Sequence, residues 1–152
     1  YVVNGQAVGS EKYDYKLRWL EAAHDWLRDE AARHPNLVVM GDFNIAPDDR
    51  DVHDPKAWND DSILTSTAER AALRRLFALG LADSYRLKHE DGGVFSWWDY
   101  RAAGFRRNLG LRIDLVLLSE ALARRCSGAS IDREPRTWER PSDHAPAMVT
   151  LG

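Results

Sequence analysis

The 152-residue chain is 44% hydrophobic and 30% charged, with a formal net charge of −3. That composition excludes collagen-like, low-complexity and disordered chains, and the length suits one globular domain. No apolar run is longer than the four residues of Leu115–Leu118, far short of a membrane-spanning helix.

The predicted elements run as follows. Residues 10–34 read as an amphipathic helix, because Tyr13, Leu17, Leu20, His24, Leu27 and Ala31 recur every three or four positions and Pro35 stops it. Leu37–Met40, closed by Gly41, reads as a buried strand that feeds an irregular Pro- and Asp-rich stretch over 41–65. Ser66 with Glu69 three residues on is a capping-box signature, opening a helix through Leu73, Leu76 and Phe77 to Gly80. Val94–Trp98 and Arg112–Leu118 read as strands, with a basic loop over Arg101–Gly110 between them. Ser119 caps a short helix from Glu120 to Arg125, and Ala147–Leu151 is a final strand. With neither repeat nor linker, residues 1–152 form one α/β unit. The lone Cys126 has no internal disulfide partner and no basic-then-apolar leader is visible, which points to a cytoplasmic protein with no membrane partner.

The mild net charge hides two uneven stretches. Residues 41–61 hold seven aspartates against Arg50 and Lys56, a local −5, and residues 101–140 hold nine arginines against five acids, a local +4. The pair reads either as two solvated loops or as a cation site beside a phosphate-binding surface. Because every cation of the second stretch is arginine, planar two-pronged phosphate contacts are favoured over mere solubility.

Four constellations place polar groups in apolar surroundings. Asp42 and Asn44, directly after a buried strand, are either an Asx turn or a pair projecting from the ligand-bearing end of a sheet. Asp114 lies within the Arg112–Leu118 strand, where a carboxylate is costly unless bound; Arg112, two residues earlier on the same face, is one candidate partner and a ligand is the other. Asp143 and His144, between Pro141 and Pro146, are poor core material and read as functional, pointing to opposite sides if the backbone is extended. Trp97 and Trp98 cannot both face one interior from a strand, so one of them is available for stacking beside the arginine loop. The set Asp42, Asn44, Asp114, Asp143 and His144 comes with no serine elbow, Gly-rich phosphate loop or zinc spacing. Carboxylates with an amide and an imidazole suit metal-assisted phosphodiester hydrolysis better than acyl transfer.

Five ordered segments carry a resemblance: Tyr1-Val2-Val3-Asn4-Gly5, Gly41 to Pro47, Trp97 to Arg101, Asn108 to Asp114, and Pro141 to Pro146. Together they resemble the exonuclease III family of abasic-site endonucleases, within the endonuclease/exonuclease/phosphatase superfamily. The Gly-Asp-Phe-Asn and Ser-Asp-His segments alone point only to the superfamily; the Trp-Trp-Asp-Tyr-Arg and Gly-Leu-Arg-Ile-Asp segments narrow it to the DNA-repair branch. The resemblance implies Mg2+, with Mn2+ as a substitute, and cleavage 5′ to an abasic site together with 3′-to-5′ trimming of duplex DNA. It implies that Asp42 activates or aligns the attacking water, that Asn44 holds the phosphate, and that His144 contacts a non-bridging oxygen. Asp114 matches a carboxylate important to the chemistry, and Tyr1 a tyrosine near the phosphate. Asp42, Asn44 and Asp143 are the implied metal positions, and Trp97, Arg101, Leu111 and His144 the implied DNA contacts, with Trp97 and Leu111 lining a pocket for a base-less sugar.

Family members are implied to fold as a four-layer α/β/β/α sandwich, and this chain begins at the tyrosine motif, so it is expected to form half of that sandwich. The N-terminal portion of the family carries a glutamate metal ligand, an active-site asparagine and most of one sheet. The expectation is therefore an exposed apolar face, covered by further chain, by a second copy in a homodimer, or rebuilt otherwise. A bacterial cytosolic or nucleoid enzyme of base-excision repair is the leading reading. A catalytically silent remnant that binds DNA or a partner without turnover is the alternative, and a phosphatase acting on a small or lipid phosphate is a third.

Overall fold

The computed structural model describes residues 1–152. Helix α1 spans Glu11–Arg33, started by Ser10, whose hydroxyl accepts from the Tyr13 N–H. Helix α2 spans Thr67–Phe77 and opens with the expected reciprocal box, Ser66 accepting from the Glu69 N–H while Glu69 accepts from the Ser66 N–H. It stops at Phe77 rather than Gly80, and a short helix α3 covers Glu120–Ala123. Strands β1 (Val38–Asp42), β2 (Leu81–Asp83) and β5 (Asp114–Ser119) form one sheet in the order β1-β5-β2. Strands β3 (Trp97–Trp98) and β4 (Gly110–Leu111) pair with each other, as do β6 (Cys126–Ile131) and β7 (Ala147–Leu151).

Every pairing is antiparallel, so the site does not lie at the common end of parallel strands. It lies where β1 ends and β5 begins. In that register Asp42 sits opposite Asp114, and Val38 opposite Leu118.

Strand β5 is buried on both faces, which is why its sequence reads as a continuous apolar run instead of an alternation. Leu115 and Leu117 pack with Leu20 and Leu27 of α1 and Leu73 and Leu76 of α2. Val116 and Leu118, on the other side, pack with Leu122 and Cys126, and the inward residues of β7 close over them. The chain thus stacks a helix layer, a sheet and a strand pair. Truncating a core residue such as Leu117 to Ala would cost about 2–5 kcal/mol.

Several expected boundaries shift. The predicted strand Val94–Trp98 shrinks to Trp97–Trp98, because its partner β4 offers only two residues. The predicted strand Arg112–Leu118 starts only at Asp114. Arg112 and Ile113 leave the ladder, their N–H groups going instead to the Asp51 carbonyl and to Ser96 Oγ. The Arg112 side chain does not meet Asp114 at all. It is fully buried, forks onto both oxygens of Asp83 at 3.1 and 2.7 Å, and reaches Asp51 at 2.6 Å. The two carboxylates outweigh the cost of burial and hold the guanidinium above its ordinary pKa.

An apolar surface lies at the edge of the sheet. Met40 on β1 is 72% exposed and Trp26 on α1 is 62% exposed. With Tyr1, Trp19 and Val39 they line a shallow groove of about 360 Å3 along the outer edge of β1. No helix is long and apolar enough to cross a membrane.

Candidate active site

A cleft of about 720 Å3 opens at the meeting of β1, β5 and the segment before β7. Its polar floor holds Asn4, Asp42, Asn44, Asp143 and His144, and its walls include Trp58 and Trp97. Four of the five polar residues singled out in the sequence line this one cleft. The fifth, Asp114, lies directly behind His144.

The β1–β5 register sets two carboxylates face to face, an arrangement that like-charge repulsion disfavours. His144 relieves it. Its Nδ1 is 2.8 Å from Asp114 Oδ2 and its Nε2 is 3.9 Å from Asp42 Oδ2, so the ring bridges the pair. Burial works against a charged imidazole, but the hydrogen bond and charge of Asp114, aided by Asp42 and Asp143, hold the His144 pKa above its ordinary value. Burial likewise pushes Asp42 up; the N–H of Asn44 opposes this, while the charge of Asp114 adds to it.

Asn44 grips Asp42 twice. Its backbone N–H donates to Asp42 Oδ1 at 2.8 Å and its Nδ2 donates to Asp42 Oδ2 at 3.2 Å. Nδ2 also donates to the Val2 carbonyl at 2.8 Å, so both amide hydrogens are engaged within the protein. The amide expected to hold a phosphate is thus turned onto groups of the protein itself. Asn44 adopts a left-handed backbone, φ 48°, which asparagine tolerates better than most residues.

Asp143 and His144 do point to different neighbours. Asp143 accepts from Trp97 Nε1 at 2.9 Å, and His144 turns to Asp114. The segment is held like an added strand, Trp98 N–H donating to the Asp143 carbonyl and Ala145 N–H to that of Ser96. Arg136 fixes it from beneath, donating to the Ser142 carbonyl while lying against Phe105 and Tyr100. Trp98 is fully buried, and Gly110 packs so closely on it that an added Cβ would sit 2.5 Å from Trp98 Nε1. Trp97 is the half-buried member of the pair and forms part of the cleft wall.

The remaining candidates divide. Tyr1 is exposed at the cleft mouth. Arg101 is on the rim, its side chain 88% exposed and forked onto Asp99. Leu111 does not line the cleft. It is fully buried among Ala46, Val52 and Ile113, because β4 turns it inward against the 41–65 loop; Leu109 and Ile113 take the wall positions instead. Nor do the nine arginines form one basic surface, since Arg112 and Arg136 are buried.

Asp42, Asn44 and Asp143 face the same cleft. No three His, Cys, Asp or Glu side chains converge to hold an ion, and Asp143 spends one oxygen on Trp97. A small hard divalent ion is often held by one or two carboxylates with waters completing its sphere, a need that the Asp42 and Asp143 carboxylates on the cleft floor fit.

Residues 2–144 match the family model described as the Endonuclease/Exonuclease/phosphatase family. The chain belongs to that family. It is 37% identical to exodeoxyribonuclease III of Haemophilus influenzae over 153 aligned residues, covering 96% of this chain and 57% of that enzyme. Among solved structures it superposes with a TM-score of 0.98 on the 3′ phosphatase NExo from Neisseria bound to a product DNA hairpin, at 46% identity, covering 100% of this chain and 59% of that one. An AP endonuclease from Archaeoglobus fulgidus superposes with a TM-score of 0.95 at 36% identity, covering 99% of this chain and 59% of that one. The chain thus spans rather more than half the length of these relatives. Enzymes of the family depend on a divalent metal ion.

Proposed function

We propose that this chain supplies the catalytic cleft of a DNA phosphodiesterase of base-excision repair, cutting at abasic sites and trimming 3′ ends of duplex DNA. The observation that carries the reading is the Asp42–His144–Asp114 bridge on the floor of an aromatic-walled cleft. The relatives named as exodeoxyribonuclease III, AP endonuclease and 3′ phosphatase support DNA as the substrate. Mg2+ is the ion proposed for the whole enzyme, with Mn2+ as a substitute; Asp42 and Asp143 would hold it beside waters, and it would offset phosphate charge.

The residues present divide the work. Asp42, raised in pKa by burial and held still by Asn44, accepts a proton from the attacking water. His144, whose protonated form Asp114 favours, directs Nε2–H at the non-bridging oxygen whose charge grows as the water adds. Tyr1 and Arg101 lie at the mouth to meet the flanking phosphates. Trp97 and Trp58 offer apolar walls to an extruded base-less sugar, a nucleotide with little stacking to lose.

With Mg2+ and an abasic duplex, the chain is expected to nick the strand, and Asp42→Ala to slow nicking about 10²–10⁴-fold. An unchanged rate in both EDTA and Asp42→Ala would sink the assignment. A second reading, in which the chain binds DNA without turnover, draws on the exposed Arg101 at the cleft rim. Salt-sensitive duplex binding with no product over a time course at saturating Mg2+ or Mn2+ would establish that reading. Cleavage of inositol phosphates but not DNA would point to the small-phosphate branch.

A further inference from the structure

Lys16 is fully buried on the inner face of α1. Its three N–H donors are all used: on the Asn4 carbonyl at 3.1 Å, the Asn44 carbonyl at 2.7 Å and Glu69 Oε1 at 2.5 Å. Glu69 has no shortage of donors, since it also accepts from the N–H groups of Leu64 and Ser66 and from Ser66 Oγ. The capping box of α2 is therefore complete without a lysine. A buried ion pair is a poor source of stability, and an apolar residue of the same length often serves as well or better. What an apolar residue could not do is hold the two carbonyls.

Those carbonyls belong to Asn4 and Asn44, both on the cleft floor and joined side chain to side chain at 3.4 Å. Asn44 is the residue that grips Asp42, and it does so from a left-handed backbone. Both peptide groups flanking Asn44 are pinned, one through its N–H by Asp42 and the next through the Asn44 C=O by Lys16. The backbone is also fitted around this lysine. Gly5 has φ 89°, and a Cβ there would lie 3.0 Å from Lys16 Cδ and 3.1 Å from Ile63 Cδ1.

We propose that Lys16 is the positioning residue of the cleft, an internal cation that fixes the Asn4 and Asn44 backbones so that Asn44 aims Asp42. It touches no substrate. It acts through two peptide groups, with Glu69 as its counter-charge. As a contribution to catalysis the proposal rests on the cleft reading above; as a statement about geometry it does not.

Backbone amide exchange in the full chain, followed by NMR, tests it. In Lys16→Met the Asn44 N–H is expected to exchange about tenfold or more faster relative to Leu117 on β5. In Glu69→Gln, which keeps Lys16 on both carbonyls, that ratio should stay within about twofold even as overall stability falls. Equal acceleration of Asn44 and Leu117 in Lys16→Met would make Lys16 a mere stability residue and overturn the proposal. Should Lys16→Met fail to fold, the unaltered chain decides: a slowly exchanging Lys16 ammonium in contact with Asn44 supports the proposal, and a freely exchanging one overturns it. If the chain cuts abasic DNA, Lys16→Met is expected to lower kcat about 10²-fold with KM held within about twofold. A raised KM with unchanged kcat would contradict the positioning role. A chain that cuts no DNA leaves the exchange outcomes as they stand and counts only against the proposed function.

Discussion

Two cations are fully buried in this small protein, and they do different work. Arg112 is answered by carboxylates: Asp83 takes two of its N–H groups and Asp51 a third, while Arg86 reaches Asp51 from outside. Lys16 is answered by one carboxylate and two peptide carbonyls. The difference follows from the side chains. A planar guanidinium fork satisfies carboxylates on two separate segments, the 41–65 loop and the end of β2, and so ties them together. A compact ammonium on a flexible stem can reach past its counter-ion to backbone groups and fix their orientation. Burial of charge thus anchors the 41–65 loop in one place and tunes the cleft in the other.

Replacing Arg112 by Met strands Asp51 and Asp83 without their main partner, and a loss of about 3–5 kcal/mol is expected in urea unfolding. A loss below about 1 kcal/mol would show that Arg86 and the local N–H donors suffice, and that the cluster is no anchor.

A smaller effect comes from the half-open ionic contact between the two buried ones. His144 has its pKa raised in the folded chain, so its proton stabilises the fold. That stability is fully present below the unfolded value of about 6.5 and is lost as pH rises through the higher folded value. The advantage of the native chain over His144→Gln, measured by unfolding in EDTA from about pH 5.5 to about pH 9, should therefore shrink steadily. A gap that grows with pH would reverse the sign of the Asp114 interaction.

The smallest effect is the surface reference. Arg124 and Glu120 pair at 2.6 Å with both side chains mostly exposed. Arg124→Ala should change stability by no more than about 0.5 kcal/mol, since solvent and salt screen such pairs. A larger loss would mean that distance alone, rather than burial, ranks the ionic contacts of this molecule.

Local chemistry made much of the scaffold legible. The Tyr13–Leu20–Leu27 stripe, the Ser66–Glu69 box and the apolar Leu115–Leu118 run each appear where expected. The strands that escaped notice had weak local signals. β2 has three residues, and β6 runs Cys-Ser-Gly-Ala-Ser-Ile, whose small side chains give little alternation. Lys16 escaped for a different reason, although its position could have revealed it. It falls on the same three-and-four spacing as Tyr13 and Leu20, and a lysine on that stripe must be either exposed by a gap or held by partners.

The sequence by itself determined which residue types could meet at a site, because the polar positions flanking apolar runs are written in the chain order. Only the tertiary structure decided who met whom. Asp114 took His144 instead of Arg112, Asn44 turned its amide onto Asp42, and Leu111 went into the core while Trp97 lined the cleft. Asp114 and His144 lie 30 residues apart, and Trp97 and Asp143 lie 46 apart. Strand register and the cost of leaving a buried charge unanswered select these pairings, and neither is a property of any local stretch of sequence.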